Sequence, residues 1–355
     1  MTATMNPAAG QLNVGLLEDI RAHAGALDRG EHQSRRCFTA LGAAGLLGVG
    51  APANTDGRLP EMADVIRLIS AECMSTGFSL WAHRMAVEYL LTAATSFSTG
   101  AAEPLLAGAT LGVTGMASAF KEAAGCGNIE LTATAVDGGY RVSGPIRWAS
   151  NLYPDSTMVT AVRTDAGERL IVALPLNTPG VVLGDHFELL AMGSTASSYL
   201  NLTDAYVPSA QVLSSDFGGF LEAVRPTFLV LQSAMCLGLT RTAVEQAKAG
   251  LSGVNSVFSA QVDHVAEKLA TAEARLADLA AAVGGDESPA KRELLSLRLA
   301  AAELSSASAD LEIRTAGGKG YASRTSASRR YREAAFIPVQ SPSEGQLRWE
   351  LAACG

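Results

Sequence analysis

Residues Tyr140–Asn151 read Tyr-Arg-Val-Ser-Gly-Pro-Ile-Arg-Trp-Ala-Ser-Asn, and they are the most informative segment of the chain. It follows the turn signal Asp137–Gly139, and alternating β-formers in Thr132–Val136 precede that turn. This pattern predicts a β-hairpin. On the returning strand, Trp148 and Ser150 are two residues apart and should point to the same face. A flat aromatic ring beside a hydroxyl suits a planar, polar-edged ligand such as a flavin; the alternative is a tryptophan that only packs in the core.

The composition points to an oligomer and away from nucleic acid. Charged residues make up 17% of the 355 residues, against roughly 25% in ordinary soluble domains. Such a chain has either a large core or surface that is buried between subunits, and we expect a homodimer or homotetramer. The formal net charge of −8 argues against broad binding to a phosphate backbone.

The five cysteines are far apart and show no spacing typical of metal ligands. We therefore expect no metal site, and reduced thiols in a cytoplasmic protein. The longest apolar and glycine-rich run, Leu41–Pro52, has about half of the ~20 residues that span a bilayer. Residues Met1–Gln11 lack a basic segment followed by an apolar one, so no signal peptide is expected.

Sequence texture divides the chain into three predicted domains: helical over 1–108, β over 109–214 and a helical bundle over 215–355. The short connections in the middle domain predict antiparallel pairing. In the first domain, His83 lies in the apolar helix predicted for Gly77–Ser96. A buried, hydrogen-bonded histidine is the common situation there, and a catalytic acid or base is the alternative. Three long Ala/Leu-rich helices in the last domain predict an antiparallel bundle.

This order of elements resembles the acyl-CoA dehydrogenase family. Four stretches carry the resemblance: Gly139–Asn151, Met192–Pro208, Gly317–Tyr321 and Arg330–Ala334. They are similar to the family's Gly-Tyr…Trp-x-Thr/Ser-Asn, Met-Gly…Val-x-Val-Pro, Gly-Gly-x-Gly-Tyr and Tyr-Arg-Asp-Ala patterns. The resemblance implies an α+β fold with an N-terminal helical domain, a middle antiparallel β-barrel or sandwich, and a C-terminal four-helix bundle.

The resemblance also implies a flavin cofactor, FAD, with FMN as the alternative. In the family, three matching positions contact the flavin ring and three glycines approach the dinucleotide from a neighbouring subunit. These positions are Thr114, Trp148 and Ser150 for the ring, and Gly317, Gly318 and Gly320 for the dinucleotide. A helix-ending glycine turn is the alternative interpretation of the second set. Arg84, Arg147 and Arg324 are candidate contacts for an anionic group, or else structural and surface arginines.

The chain departs from the family at the catalytic base. The family desaturates acyl thioesters with a carboxylate that removes the α-proton, and alignment through Arg348 puts Ser341 at that place. The position of the alternative base in the first bundle helix holds Phe228. Glu344 could substitute, although a glutamate at a helix start is also favoured by the helix dipole. Leu251–Phe258 replaces a family segment that helps to hold the FAD pyrophosphate.

Three functions therefore remain open. The first is α,β-desaturation of an acyl thioester with a flavin-linked electron acceptor. The second is a monooxygenase that receives reduced flavin from a reductase and needs no α-proton base, with His83 as a candidate acid or base. The third is a non-catalytic homologue that serves as a subunit of a complex.

Overall fold

A computed structural model describes residues 12–354. Within that range it contains twelve α-helices and eight β-strands. The helices are α1 (Val14–Asp28), α2 (Phe38–Ala43), α3 (Leu59–Glu72), α4 (Met74–Ala93), α5 (Ser96–Leu106), α6 (Ala117–Ala123), α7 (Phe217–Ala249), α8 (Ser259–Ala282), α9 (Lys291–Ala316), α10 (Gly318–Tyr321), α11 (Ser326–Phe336) and α12 (Glu344–Ala353). The strands are β1 (Gly112–Gly115), β2 (Thr132–Val136), β3 (Gly139–Ala149), β4 (Thr157–Thr164), β5 (Arg169–Pro175), β6 (Val181–Leu183), β7 (Ser198–Pro208) and β8 (Val212–Ser214).

The predicted hairpin is confirmed as the antiparallel pair β2–β3, in which Val136 lies opposite Gly139. Gly138 supplies the positive φ, +73°, that the turn between them needs. A side chain at Gly139 would lie 2.3 Å from the carbonyl oxygen of Val207 on β7. Glycine at that position therefore lets the two strands approach closely.

The α+β layout is confirmed, but the pairing is not antiparallel throughout. The strands follow the order β6-β7-β3-β2-β4-β5-β8, with β1 added to β4. The β1–β4 and β2–β4 pairs are parallel, so the prediction of antiparallel pairing is wrong for them. The physical reason is the connection: the chain from β1 to β4 passes through α6 and the hairpin, which is long enough for a crossover.

Within residues 12–354, helices lie on both sides of the strand-rich segment, as the sequence predicts. Helix α4 is buried from Met74 through Leu90, and α7 has buried residues along most of its length. One described helix, α7, is long and apolar enough to cross a membrane, and 89% of its most apolar window is buried inside the fold. We therefore describe α7 as the central helix of the bundle. Whether the three sequence segments behave as separate domains stays a prediction.

Candidate functional site

A cavity of about 230 Å³ lies where the end of β3 meets the loop before β7 and the last turn of α11. We call it the Trp148 cavity. It is lined mainly by apolar side chains and two hydroxyls, from Phe78, Trp148, Leu189, Leu190, Ala191, Met192, Thr195, Ser197, Arg332, Ala335, Phe336 and Val339. Trp148 is 48% exposed; it lies in the second half of β3, which pairs with β7 but extends beyond the pairing with β2.

A β-bulge sets the direction of Trp148. Between Ile146 and Ala149, β3 advances three residues while β7 advances only two. Bulges of this kind turn a side chain away from its regular direction. The Trp148 ring packs at 4.6 Å from the Phe187 ring, centroid to centroid. The simple alternation expected for Trp148 and Ser150 is therefore interrupted at this point.

A chain of hydroxyls stands behind the cavity wall. The Ser150 Oγ lies 2.7 Å from the Ser197 Oγ, which lies 2.8 Å from the Thr195 Oγ1. Thr195 and Ser197 line the cavity, whereas Ser150 is one hydrogen bond behind it. Sequence reasoning missed Thr195 and Ser197, although the dense run of small hydroxyls after Met192-Gly193 was a usable signal. The Oγ of Ser194, the residue before Thr195, is buried and has no hydrogen-bond partner.

The other predicted ring contact, Thr114, is not brought into the Trp148 cavity. Thr114 is half-buried on β1, and its Oγ1 lies 3.1 Å from the Tyr89 hydroxyl. Asn151 connects the two strands, because its Nδ2 donates to the Gly112 carbonyl at 3.2 Å. Thr114 therefore does not line the Trp148 cavity.

His83 occupies a core position. It is completely buried on α4, and its Nδ1 accepts the backbone N–H of Gly112 at 3.1 Å. Because Nδ1 is an acceptor, the neutral ring carries its proton on Nε2, which has no partner. Burial lowers the pKa of His83 to about 3. A neutral histidine of this kind holds the start of β1 in place.

The segment that carries the predicted base contains no carboxylate directed at the cavity. Ser341 is two residues after the cavity residue Val339, and the buried Oγ of Ser341 has no hydrogen-bond partner. Glu344 opens α12, where its Oε1 pairs with Arg348 at 2.8 Å. None of the described residues that line the Trp148 cavity is acidic. The arrangement therefore has an aromatic face and hydroxyls but no side-chain carboxylate base.

The glycine turn predicted to reach a dinucleotide lies elsewhere on the molecule. Gly317 ends α9 with φ +62°, and a side chain at Gly317 or Gly318 would meet no atom within 4 Å. Gly320 is different, since a side chain there would lie 2.7 Å from the Ala316 Cβ. None of these glycines lines the Trp148 cavity. The open backbone at Gly317 and Gly318 faces outward, where a second molecule could approach.

A larger, arginine-rich cavity of about 780 Å³ adjoins the Trp148 cavity. The two share Leu189, Leu190 and Arg332. Six arginines and three acidic residues line the larger one: Arg21, Arg29, Arg324, Arg329, Arg330 and Arg332 with Asp28, Glu72 and Glu188. Five of these arginines already pair with carboxylates: Arg21 with Glu72, Arg29 with Glu31, Arg329 with Glu333, Arg330 with Glu312 and Arg332 with Asp28. Guanidinium groups bind phosphate and other anionic groups, so an anionic ligand here would compete with these pairs.

The candidate arginines of the sequence fall into different places. Arg84 is fully buried and pairs with Glu88 at 2.8 Å. Arg147 pairs with Glu130 at 2.6 Å on the surface. Arg324 lines the arginine-rich cavity. Of the three, Arg324 alone borders a space that could hold an anionic ligand.

Comparison with known proteins adds sequence relatives. No family model matches the chain. The chain is 23% identical to the probable acyl-CoA dehydrogenase YngJ of Bacillus subtilis, over 91% of this chain and 90% of that protein. It is 25% identical to the human mitochondrial short-chain specific acyl-CoA dehydrogenase, over 60% of this chain and 55% of that protein. The second match thus spans about half of its relative.

Solved structures share the fold over the whole chain. Butyryl-CoA dehydrogenase from Megasphaera elsdenii superposes with a TM-score of 0.87 at 15% identity, over 100% of this chain and 99% of that chain. KijD3, in complex with FMN and a dTDP-sugar, gives 0.82 at 20% identity, over 99% and 94%. The prolyl acyl carrier protein oxidase AnaB gives 0.79 at 17% identity, over 99% of each chain. The chain therefore has the fold of the acyl-CoA dehydrogenases and is similar in sequence to proteins of that name, as its motifs implied.

Proposed function

We propose that the protein is a flavin-dependent oxidoreductase whose reaction proceeds without a side-chain carboxylate base. The observation that carries this proposal is the lining of the Trp148 cavity: an aromatic face, two hydroxyls and no acidic residue. A flavin supplies two-electron redox chemistry, and an aromatic face with hydroxyl groups fits its planar ring and polar edge. Trp148, Thr195 and Ser197 would hold that ring.

The reaction class that fits best is oxygen chemistry with flavin that a reductase has reduced. An α-proton base must be a positioned carboxylate with a pKa near the working pH. Ser341 has no acid group, Glu344 pairs with Arg348, and His83 is sealed in the core. A monooxygenase needs none of these groups as an α-proton base. His83 is then a structural residue rather than a catalytic acid.

Desaturation of an acyl thioester is the second candidate, because the sequence relatives are named acyl-CoA dehydrogenases. Either substrate would place an anionic part in the arginine-rich cavity, which adjoins the Trp148 cavity through Arg332. The cofactor is FAD or FMN. We further propose a homodimer or homotetramer in the cytoplasm, in which the open backbone at Gly317 and Gly318 meets a second copy.

The first experiment measures the visible absorption spectrum of the purified chain, before and after FAD or FMN is added and excess flavin is removed. A retained flavin band supports the proposal. The flavoprotein is then treated anaerobically with a panel of acyl thioesters, and separately with a flavin reductase, NADH and oxygen. We expect no bleaching by the thioesters. Bleaching by any of them would replace the monooxygenase with the desaturase, and no binding of oxidised or reduced flavin would leave a non-catalytic subunit.

Ser341→Glu distinguishes a lost base from a changed pocket. The introduced carboxylate would stand at the position that the alignment gives the family's base, at a residue that does not line the Trp148 cavity. We expect the variant to bind flavin as the wild type does and still not bleach with acyl thioesters. Bleaching of this variant would mean that an acyl thioester pocket is intact and that only the base is absent.

A further inference from the structure

A cluster of polar groups lies behind the wall of the Trp148 cavity, around Arg298 of α9. Arg298 is fully buried, with 0% of its surface exposed. Its Nε donates to the Gln232 Oε1 of α7 at 2.7 Å, and its Nη2 donates to the Ile337 carbonyl at 3.2 Å. Gln232 in turn donates from Nε2 to the Ser341 carbonyl at 3.0 Å. These bonds tie two bundle helices to the segment after α11.

The charge of Arg298 has no carboxylate partner within residues 12–354. All its hydrogen bonds go to neutral oxygens, those of Gln232, Ile337 and Gln340. Burial lowers the pKa of Arg298, with the thiol of Cys236 as the opposing influence. A guanidinium nevertheless stays protonated in proteins. A buried charge without a counter-ion is costly, and proteins normally pair it.

Three hydrogen-bond donors in this cluster are buried and unused. They are the Nη1 of Arg298, the Nε2 of Gln340 and the Oγ of Ser341. The Gln340 side chain reaches Arg298, since its Oε1 lies 3.5 Å from Nη2, and Ser341 is the next residue. The cluster therefore combines one uncompensated positive charge with three free donors, which is the donor set that binds an anion.

We infer that Arg298, Gln340 and Ser341 form a buried site for a small monovalent anion. The site does not open into the Trp148 cavity, because none of the three residues lines that cavity. The site and the cavity are nevertheless formed by residues of the same short segment. Phe336 and Val339 line the cavity while Ile337, Gln340 and Ser341 make up the Arg298 cluster, so a bound anion would hold this segment from behind.

The test is a thermal melting experiment on the full chain at constant ionic strength. Sodium gluconate, whose anion is too large for an enclosed site, is replaced stepwise by sodium chloride or sodium formate. We expect the wild-type Tm to rise with saturation, by about 2 °C or more, since a ligand that binds only the folded state stabilises it. A lower half-saturation for formate than for chloride would identify a carboxylate group as the preferred ligand, and the reverse would identify a halide.

Two variants make the result specific. Arg298→Met removes the charge and should lose the saturable rise. Gln340→Glu keeps Arg298 and supplies an internal anion, so its Tm should start higher and respond less to either salt. Gln261→Glu, on the exposed start of α8, adds the same charge away from the cluster and should respond as the wild type does.

Two outcomes would overturn the inference. One is a wild-type Tm that does not depend on the identity of the anion. The other is a saturable rise that Gln340→Glu retains in full, because then the anion acts elsewhere. If Arg298→Met does not fold, the comparison of Gln340→Glu with Gln261→Glu still decides between these outcomes. The result is independent of whether the protein binds flavin.

Discussion

Two fully buried arginines in this molecule have opposite surroundings. Arg84, on α4, donates from Nη1 to the Glu88 Oε2 at 2.8 Å, and its other nitrogens donate to the Val49 carbonyl. The second Glu88 oxygen accepts the backbone N–H of Ala53 at 2.6 Å. Arg298, on α9, reaches only neutral oxygens. The two arginines are thus equally buried, but Arg84 has a carboxylate partner and Arg298, beside the candidate site, has none among the described residues.

The difference separates a structural role from a binding role. The charges of the Arg84–Glu88 pair cancel, and the pair braces α4 against the loop after α2. The Arg298 cluster leaves three donors unused next to the wall of the Trp148 cavity. Burial of a charged residue therefore says little about function until its counter-ion is known.

We expect the largest effect on stability when Arg84 loses its carboxylate partner and becomes, like Arg298, a buried charge without a counter-ion. Glu88→Gln keeps the shape of the side chain and removes the negative charge, which leaves Arg84 buried without a counter-ion. We expect the free energy of unfolding to fall by about 3–5 kcal/mol, measured by urea denaturation. Glu303→Gln breaks an exposed pair with Arg348 and should cost less than about 1 kcal/mol. Equal losses in both variants would contradict the comparison.

His83, the neighbour of Arg84, tests whether the polar groups of α4 are structural. The pKa of His83 is lowered by burial to about 3 in the folded chain, against the ordinary histidine value of 6.5. Between these values the unfolded chain binds a proton that the folded chain does not. Stability that is present above pH 6.5 is therefore lost as the pH falls towards 3.

We expect this loss to reach about 2.5 kcal/mol between pH 7 and pH 4.5. In His83→Asn, the Asn oxygen can still accept the Gly112 N–H but does not titrate, so the loss should disappear from the pH profile of unfolding. His264→Asn, at an exposed position on α8, should keep the wild-type profile. If His83→Asn keeps the wild-type pH dependence of unfolding but loses activity, His83 has a functional rather than a structural role.

Trp148 lies in the candidate site, where we expect a substitution to change flavin binding rather than stability. Trp148→Ala removes the aromatic face of the cavity, and stacking on an aromatic side chain is worth about 1–3 kcal/mol. We expect flavin affinity to fall roughly tenfold or more, measured by fluorescence titration with FMN and FAD. Trp349→Ala changes a tryptophan that is similarly exposed but does not line the cavity. Equal affinities for both variants would place the flavin elsewhere.

The smallest effect is expected at Glu344. Its ion pair with Arg348 is exposed, with 38% and 55% of the two side chains accessible. Glu344→Gln should change the free energy of unfolding by less than about 0.5 kcal/mol and leave flavin binding and turnover unchanged. A tenfold loss of turnover at constant stability would restore Glu344 as the substitute base.

Local patterns predicted much of the fold. The β2–β3 hairpin and the long helices follow from residues that are close in the chain, such as the Asp-Gly-Gly turn and the apolar period of α7. Helix α6 was not predicted, and the β1–β4 and β2–β4 pairs came out parallel rather than antiparallel. The paired strands are separated in sequence by other helices or strands, so a pattern of neighbouring residues cannot predict which strands pair or in which direction.

The candidate site was predictable only in part. Trp148 was found from its motif, and it lines a cavity. Thr195, Ser197 and Phe336 were missed, because they reach that cavity from separate parts of the chain. Thr114, Ser150 and the Gly317 turn were inferred from family positions. Their role in binding a flavin stays a prediction, and within one chain the structure does not place them around a single cavity.

Local sequence was enough for the long helices, the hairpin and the Trp148 strand, and it also placed Glu88 one turn from Arg84. These features depend on neighbours within a few residues, where spacing fixes geometry. The contacts of Arg298 with Gln232, 66 residues away, and with Ile337, 39 residues away, could be known only from the folded chain. The charge environment of a buried side chain is set by whichever remote segments pack around it.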